Sequence, residues 1–286
     1  MIERIAILGT GLLGTSVGLA LRASGFRGTL TGWNRGAEGG NAALAMGAVD
    51  ALDPDPIACA RAAQVTVLSV PIYATLDLME KLSGVLGSEH MVTDVGSTKA
   101  QIAAAAGRLF NTPERAAFLP GHPMAGKERG GAALGDANLF RGAVWIFTDD
   151  PEWQRSPHSA ALVKGWREWV QAIGSKTIDI DPARHDEMVA WVSHLPQFVA
   201  TALSALLEEE VGEAPELKDV GGRALREMTR LGASPYSMWR DIAQTNTEAI
   251  QRALFALEQR LAHLRENLRT PQLREEFEQA NRFRRE

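Results

Sequence analysis

The sequence predicts an α/β chain in which a doubly wound parallel sheet over residues 1–180 is followed by an all-α half over residues 181–286. Three observations predict it. Through the first 180 residues, short β-rich runs alternate with helical stretches. The chain opens on an apolar run, a glycine-rich turn and a helical pattern, "RIAILGTGLLGTSVGLAL". After Asp181-Pro182 strand signals vanish, and apolar residues recur at helical spacing. At 286 residues the chain is long enough for two domains.

Candidate strands of the parallel sheet are 4–9, 29–33, 65–70, 91–95, 117–120, 143–148 and 176–180. Several are apolar at consecutive positions, as strands buried on both faces should be. Asp181 can cap a helix whose first turn suits Pro182. That helix carries Met188, Trp191, Val192, Leu195, Phe198, Val199, Ala202 and Leu206 at helical spacing, and Pro196 should kink it. A further helix is expected over about 222–231, stopping at Gly232. Ser234-Pro235 then opens a long one through Trp239, Ile242, Ile250, Leu254, Leu257, Leu261, Leu264 and Leu268. At about 1.5 Å per residue it approaches 50 Å, more than a small domain covers by itself. A second copy is the natural cover, so a homodimer through the helical half is expected. The charged tail from Pro271 reads as one more short surface helix.

Composition excludes several classes. Hydrophobic residues make up 45% and charged residues 23%, which argues against disorder and fibrous repeats. A net charge of −5 argues against a general nucleic-acid binder. Cys59 is the only cysteine, which fits a reducing compartment. No run of apolar residues reaches the roughly 18 to 20 needed to span a bilayer, and the N-terminus enters a strand with no room for a signal core. The reading is a soluble, cytoplasmic protein acting on a small molecule, with neither nucleic acid nor membrane as partner.

The opening turn is Gly9-x-Gly11-x-x-Gly14. The first glycine permits the turn, the second lets backbone approach a pyrophosphate, and the third allows close helix packing. Placed between strand and helix, it is a dinucleotide site, with Leu12 and Leu13 of the turn and Val70 and Pro71 at the end of the third candidate strand among its contacts. Twenty positions beyond Gly14 stands Asn34, followed by Arg35, where an NAD site usually carries an acid. A neutral amide beside a cation suits a 2′-phosphate, so NADP is favoured; the alternative is a site that accepts either NADP or NAD. "TDVGSTKAQI" ends a strand and opens a helix at Ser97 or Thr98, and Ser97 is a helix cap, a ligand contact or both. "PGHPMAGKE" cannot be helical, so His122 sits on a held loop at the same sheet edge, either bonding its own loop or taking part in catalysis. Arg223, Arg226 and Arg230 share a helix face, usually a solvated one; Arg230, beside the glycine that ends the helix, is the one suited to a carboxylate. Ser193 and Gln197 share a face beside Pro196. His185 and His194 read as structural.

Five ordered stretches, "GTGLLGTSVGLAL", "DVGSTKAQI", "LPGHPMAGKERGG", "HDEMVAWVSHLPQ" and "MTRLGASPYSMWRDI", resemble those of prephenate and arogenate dehydrogenases, the TyrA family of tyrosine biosynthesis, from residue 4 to about 242. The resemblance implies a Rossmann domain followed by a helical dimerisation domain, and oxidative decarboxylation of a cyclohexadienol with a nicotinamide cofactor. Because the sequence ends after the helical region, no appended regulatory or chorismate mutase domain is expected. By motif, it makes His122 the catalytic group and places Ser97 near the substrate hydroxyl and the nicotinamide. Arg230 binds a substrate carboxylate, Glu128, Ser193 and Gln197 line the pocket, and Trp239 and Asp241 lie close by. Prephenate-specific members often carry a histidine where this chain has Gln197, and many carry an aspartate where it has Glu227. The glutamine leans the reading towards arogenate, or both substrates. Other readings are a different NADP-linked dehydrogenase or imine reductase, whose usual lysine is missing from the helix that starts at about 183, and a non-catalytic dinucleotide sensor.

Overall fold

The computed structural model describes residues 1–285; Glu286, the last residue of the expected helical half, lies outside the described residues. Strands β1 (Arg4–Leu8), β2 (Thr29–Trp33), β3 (Ala51–Leu52), β4 (Val65–Leu68), β5 (Met91–Asp94) and β6 (Ala117–Leu119) pair in the order β3-β2-β1-β4-β5-β6. Every pair is parallel. Helices α1 (Leu12–Ala23), α2 (Ala37–Ala45), α3 (Pro56–Arg61), α4 (Ile72–Ser83) and α5 (Ala100–Leu109) make the crossovers. The strands read as apolar runs because both faces are covered. Ile5 and Ile7 join one core with Val17, Leu21 and Trp166, while Ala6 and Leu8 join another with Leu78, Ile102 and Phe118. Strand order reverses between β1 and β4, the place where open sheets of this kind bind ligands, in a crevice beyond the carboxyl ends of the strands.

Two of the seven expected strands, 143–148 and 176–180, do not join this sheet. They are β8 (Val144–Phe147) and β9 (Lys176–Asp179), linked by α6 (Pro157–Ala172), and they form a separate sheet with β7 (Gly121–Pro123). β7 runs antiparallel to β8, which is parallel to β9. Pro120 has no N–H for a ladder, so the chain leaves the first sheet there. "PGHPMAGKE" therefore begins as a strand rather than the expected loop, with His122 paired to Ile146. β3, only two residues long, carries no alternation that a sequence pattern could register.

The helical half starts as expected. α7 (Pro182–Val189) is capped by Asp181, whose Oδ1 accepts from the Ala183 and Arg184 N–H groups at 2.9 Å. The kink expected at Pro196 takes the form of a π-helical turn, Ala190–His194, that leads into α8 (Leu195–Val211). The helix expected at about 222–231 starts earlier, as α9 (Leu217–Thr229), with Gly222 interrupting it at φ 57°. Arg230 then opens a short 3₁₀ turn, Arg230–Ala233. The expected long helix is two, α10 (Tyr236–Thr245) and α11 (Thr247–Glu266), broken at Asn246 with φ −134° and ψ 33°. There the Asn246 side chain turns inward and donates to the Asp186 carbonyl at 2.7 Å, a tertiary bond that overrides the helical pattern. The 20 residues of α11 span about 30 Å rather than about 50. The tail forms α12 (Gln272–Arg285), with no buried residue.

Ile242, Ala249 and Ile250 pack into the same core as Leu8 and Ile102, so the helical half lies directly on one face of the sheet. The continuous helical run Pro182–Val211, 30 residues with mean hydropathy 1.2 in its most apolar stretch, is long and apolar enough to cross a bilayer by length and composition. A search for an unbroken apolar run misses it, because Ser193, His194, Pro196 and Gln197 interrupt the pattern. Its buried His185 and Asp186 face the sheet domain, as their contacts below describe, and its buried His194 packs against Trp239 of the helical half.

Candidate active site

The glycine turn follows β1 at the crevice. Gly9 sits at φ 104°, and a Cβ there would lie 2.2 Å from the Ser69 carbonyl oxygen, so no other residue fits. A Cβ on Gly14 would meet the Gly9 carbonyl at 2.0 Å, which fixes the close approach of α1 to the strand. Gly11, by contrast, has nothing within 4 Å of where a Cβ would stand: its outer side is open. Gly11 caps α1 with no side-chain bond, which leaves the first-turn N–H groups around Leu12 and Leu13 for an anion. Val70 and Pro71, beyond β4, form the facing wall, with Val70 Cγ1 packed towards Gly9. These features fit a dinucleotide pyrophosphate. Asn34 and Arg35 follow β2; the Asn34 amide donates to the Gly36 carbonyl at 2.7 Å, and Arg35 is exposed.

A buried ion pair anchors the floor. Lys99 and Asp94 are both fully buried and paired, and Lys99 Nζ also donates to the Gly121 carbonyl at 2.9 Å. Asp94 accepts from the Gly96 N–H at 2.7 Å and from the Gly121 N–H at 3.1 Å. The residue before His122 is thus held at both its backbone groups. Burial pulls the Lys99 ammonium below the usual lysine value, and Asp94 opposes that pull.

His122 is 8% exposed, and its Nδ1 lies 2.8 Å from Nε2 of His185. Burial above all, then His185, Lys99 and His194, holds its pKa well below 6.5, so the ring is neutral at pH 7. His185 is fully buried, and its Nδ1 lies 2.7 Å from Asp186 Oδ1. Asp186 also accepts from the Lys99 N–H at 2.7 Å and the Ala100 N–H at 2.9 Å. The N-terminus of α5 is therefore capped from the helical half by Asp186. The cap expected from Ser97 or Thr98 is not made: α5 starts at Ala100, Thr98 bonds Thr245 at 2.8 Å, and Ser97 stays half-buried at the strand end. The sequence pattern set His185 aside and gave no signal for Asp186, because their partners lie more than 60 residues away.

Arg230 and Glu128, about 100 residues apart, form an ion pair; the Arg230 side chain is 60% exposed. Gln197 is buried with its amide spent on the turn after Arg230. It donates to the Leu231 carbonyl at 2.7 Å and to Thr201 at 3.1 Å, and accepts from Ser234 at 3.0 Å. Ser193, one turn earlier, is half-buried. Trp239 stands edge-on to His194 and Phe198, with ring centroids 5.8 Å apart in both cases, and its buried Nε1 has no partner. Burial lowers the pKa of His194 to about 4. Arg223 pairs with Glu227 on the solvated face. A groove of about 710 Å³ runs along α5 past Trp153 and Asp181 and contains none of these residues. His122, with His185 and Asp186, lies instead where the sheet edge meets the helical half.

A glycine turn at the switch point of a parallel sheet, facing a helical half that carries polar side chains to the same edge, defines a two-domain dinucleotide-binding protein. Residues 17–172 match the family described as "Prephenate dehydrogenase, nucleotide-binding domain", and residues 181–282 match "Prephenate dehydrogenase, dimerization domain". The chain belongs to the prephenate dehydrogenase family. It is 30% identical over 252 residues to a prephenate dehydrogenase of Bacillus subtilis, an alignment that covers 87% of this chain and 66% of that one. The structure resembles a prephenate dehydrogenase from A. aeolicus in complex with hydroxyphenyl propionate and NAD+, with a TM-score of 0.84 at 28% identity, covering 100% of this chain and 96% of that one. It also resembles a Synechocystis arogenate dehydrogenase, with a TM-score of 0.76 at 28% identity, covering 98% of each chain. These matches do not favour an imine reductase or a non-catalytic sensor. The glycine turn itself lies before the matched residues, so its assignment rests on the geometry above.

Proposed function

We propose that this chain carries out NAD(P)-dependent oxidative decarboxylation of prephenate, arogenate or both, giving 4-hydroxyphenylpyruvate or tyrosine. The observation that carries the reading is His122: a buried, neutral imidazole with one nitrogen engaged by His185, beside the crevice the glycine turn opens. When bound, the dinucleotide supplies the hydride acceptor for the ring carbon that bears the hydroxyl. His122 takes the hydroxyl proton at Nε2 as the hydride departs, and returns it to the phenolate oxygen once carbon dioxide has left. Aromatisation drives the loss of the ring carboxylate, so the residues mainly orient and exclude water. Ser97 donates to the hydroxyl oxygen. Arg230 exchanges Glu128 for a substrate carboxylate, which its planar fork matches. Ser193 and Trp239 line the wall, and Gln197 shapes it by holding the turn that carries Arg230 in place.

Arg35, exposed beside the side-chain-uncapped N-terminus of α2, supports NADP as the preferred cofactor. Gln197 brings no positive charge to the pocket, which supports arogenate alongside prephenate. The reading takes residues 1–180 and 181–286 as the two domains of a cytoplasmic homodimer joined through the helical half. The rate of NADP⁺ and NAD⁺ reduction, with prephenate and arogenate supplied separately, tests it. Turnover with either substrate is the expected result; none in any pairing, with NADP still bound, would overturn it.

A further inference from the structure

Two residues beyond those named for the reaction, His185 and Asp186, bear on His122, and their donor and acceptor roles can be worked out in order. Asp186 sits against two backbone N–H groups, those of Lys99 and Ala100, which can only donate. Its carboxylate oxygens therefore accept, and the 2.7 Å contact with His185 makes the His185 Nδ1 the protonated nitrogen. A neutral imidazole has one N–H, so the His185 Nε2 carries a lone pair. The 2.8 Å bond to His122 then requires a proton on the His122 Nδ1. That leaves the His122 Nε2 bare.

We propose that Asp186 and His185 are positioning residues that hold His122 in the Nδ1-protonated tautomer and so leave Nε2 as the proton acceptor. The inference deepens the reading of His122 as the base and rests on it. The same chain steadies the charge that develops. When Nε2 takes the substrate proton, the Nδ1 proton lies on the bond to His185, and the positive ring faces the Asp186 carboxylate through His185. The other charged and titratable groups around the ring are the Lys99–Asp94 pair and His194. Asp186 comes from α7 and caps α5, so the helical half both sets the tautomer and locks the turn that bears Ser97. A doubly protonated His185 would reverse the bond and put the proton on Nε2 of His122, leaving no base.

Imidazole nitrogen NMR on ¹⁵N-histidine-labelled wild-type protein near neutral pH tests this directly, with the His122 signals identified by their loss in His122→Asn. The expected result is protonated Nδ1 and bare Nε2 on His122; a protonated Nε2 overturns the proposal. The measurement needs no turnover, so it stands apart from failure of the proposed reaction. Two variants supply the kinetic arm. His185→Leu removes the acceptor and should lower kcat about tenfold or more, with KM for the substrate and affinity for the dinucleotide unchanged; a wrong tautomer costs up to about 10⁴ in a serine-protease triad. His185→Gln restores an acceptor oxygen and should recover kcat to within a few-fold of wild type. Equal losses in both variants, or wild-type kcat in His185→Leu, would overturn the positioning role.

Discussion

His122 is useful as a base only while neutral, and its surroundings keep it so. Burial and the nearby Lys99 ammonium both disfavour the imidazolium, which moves the acid limb of the kcat/KM profile below pH 6.5. Activity should therefore persist into mildly acidic buffer and fall only as pH drops through the lowered value; a limb at or above 6.5 would contradict the assignment. His122→Asn should leave dinucleotide binding intact and cut turnover by about two orders of magnitude or more, with fluorescence titration and steady-state rates as the paired checks. Arg230→Gln should act differently. Loss of a charge-assisted fork raises KM for the substrate about ten- to a hundredfold, and an unchanged KM would remove Arg230 from the carboxylate role. Both residues were readable in the sequence because each sits beside a local breaker, Pro120 and Pro123 for His122 and Gly232 for Arg230. His185 and Asp186 were not, since a histidine-aspartate pair on a helix announces nothing until the chain brings His122 and the start of α5 to it.

At the scale of elements, the same distinction separates what the pattern predicted from what it did not. The parallel strands of the first sheet and the capped start of α7 follow from local chemistry: apolar runs, the glycine turn, and Asp181 before Pro182. The second sheet, the two-residue β3 and the break at Asn246 depend on partners distant in sequence. β7 exists because Pro120 ends β6 and because Asp94 and Lys99 grip Gly121 on both sides. That grip has a measurable worth. Lys99→Met leaves Asp94 buried without its counter-charge, and the expected loss is about 3–5 kcal/mol, read from the urea midpoint. The double variant Asp94→Asn/Lys99→Met should cost less than Lys99→Met alone, because it removes the stranded charge as well. Midpoints within error of wild type for Lys99→Met would mean that the pair contributes nothing to holding β7.

Taken whole, the molecule is unevenly covered. Beyond Met1, the large apolar side chains that the sheet domain exposes, Leu44, Met46, Tyr73, Leu134 and Ile178, are scattered and reach at most 41%, whereas the helical half leaves Trp191, Val192, Leu206, Val220, Phe255 and Leu261 exposed, up to 79% at Val220. Apolar patches of this kind on a protein surface mark an interaction surface. The uncovered side chains run along α7 to α9 and α11, the region matched by the dimerization-domain family. Elsewhere the helical half is already committed to the sheet, through Ala190, Ile242 and Ile250. A second copy presenting the same face would bury both patches at once under two-fold symmetry, and that is the expected assembly. Since Asp186 and Arg230 are carried by this half, loosening the interface should reach the site through α7 and the turn after α9. Analytical ultracentrifugation at micromolar protein should give twice the 30.9 kDa chain mass. Phe255→Glu, which puts a charge on the exposed stripe, should shift the population towards monomer, and turnover should fall with dilution in step with the dimer fraction. A wild-type chain that sediments as a monomer at that concentration would refute the shared interface and leave the exposed stripe to another partner.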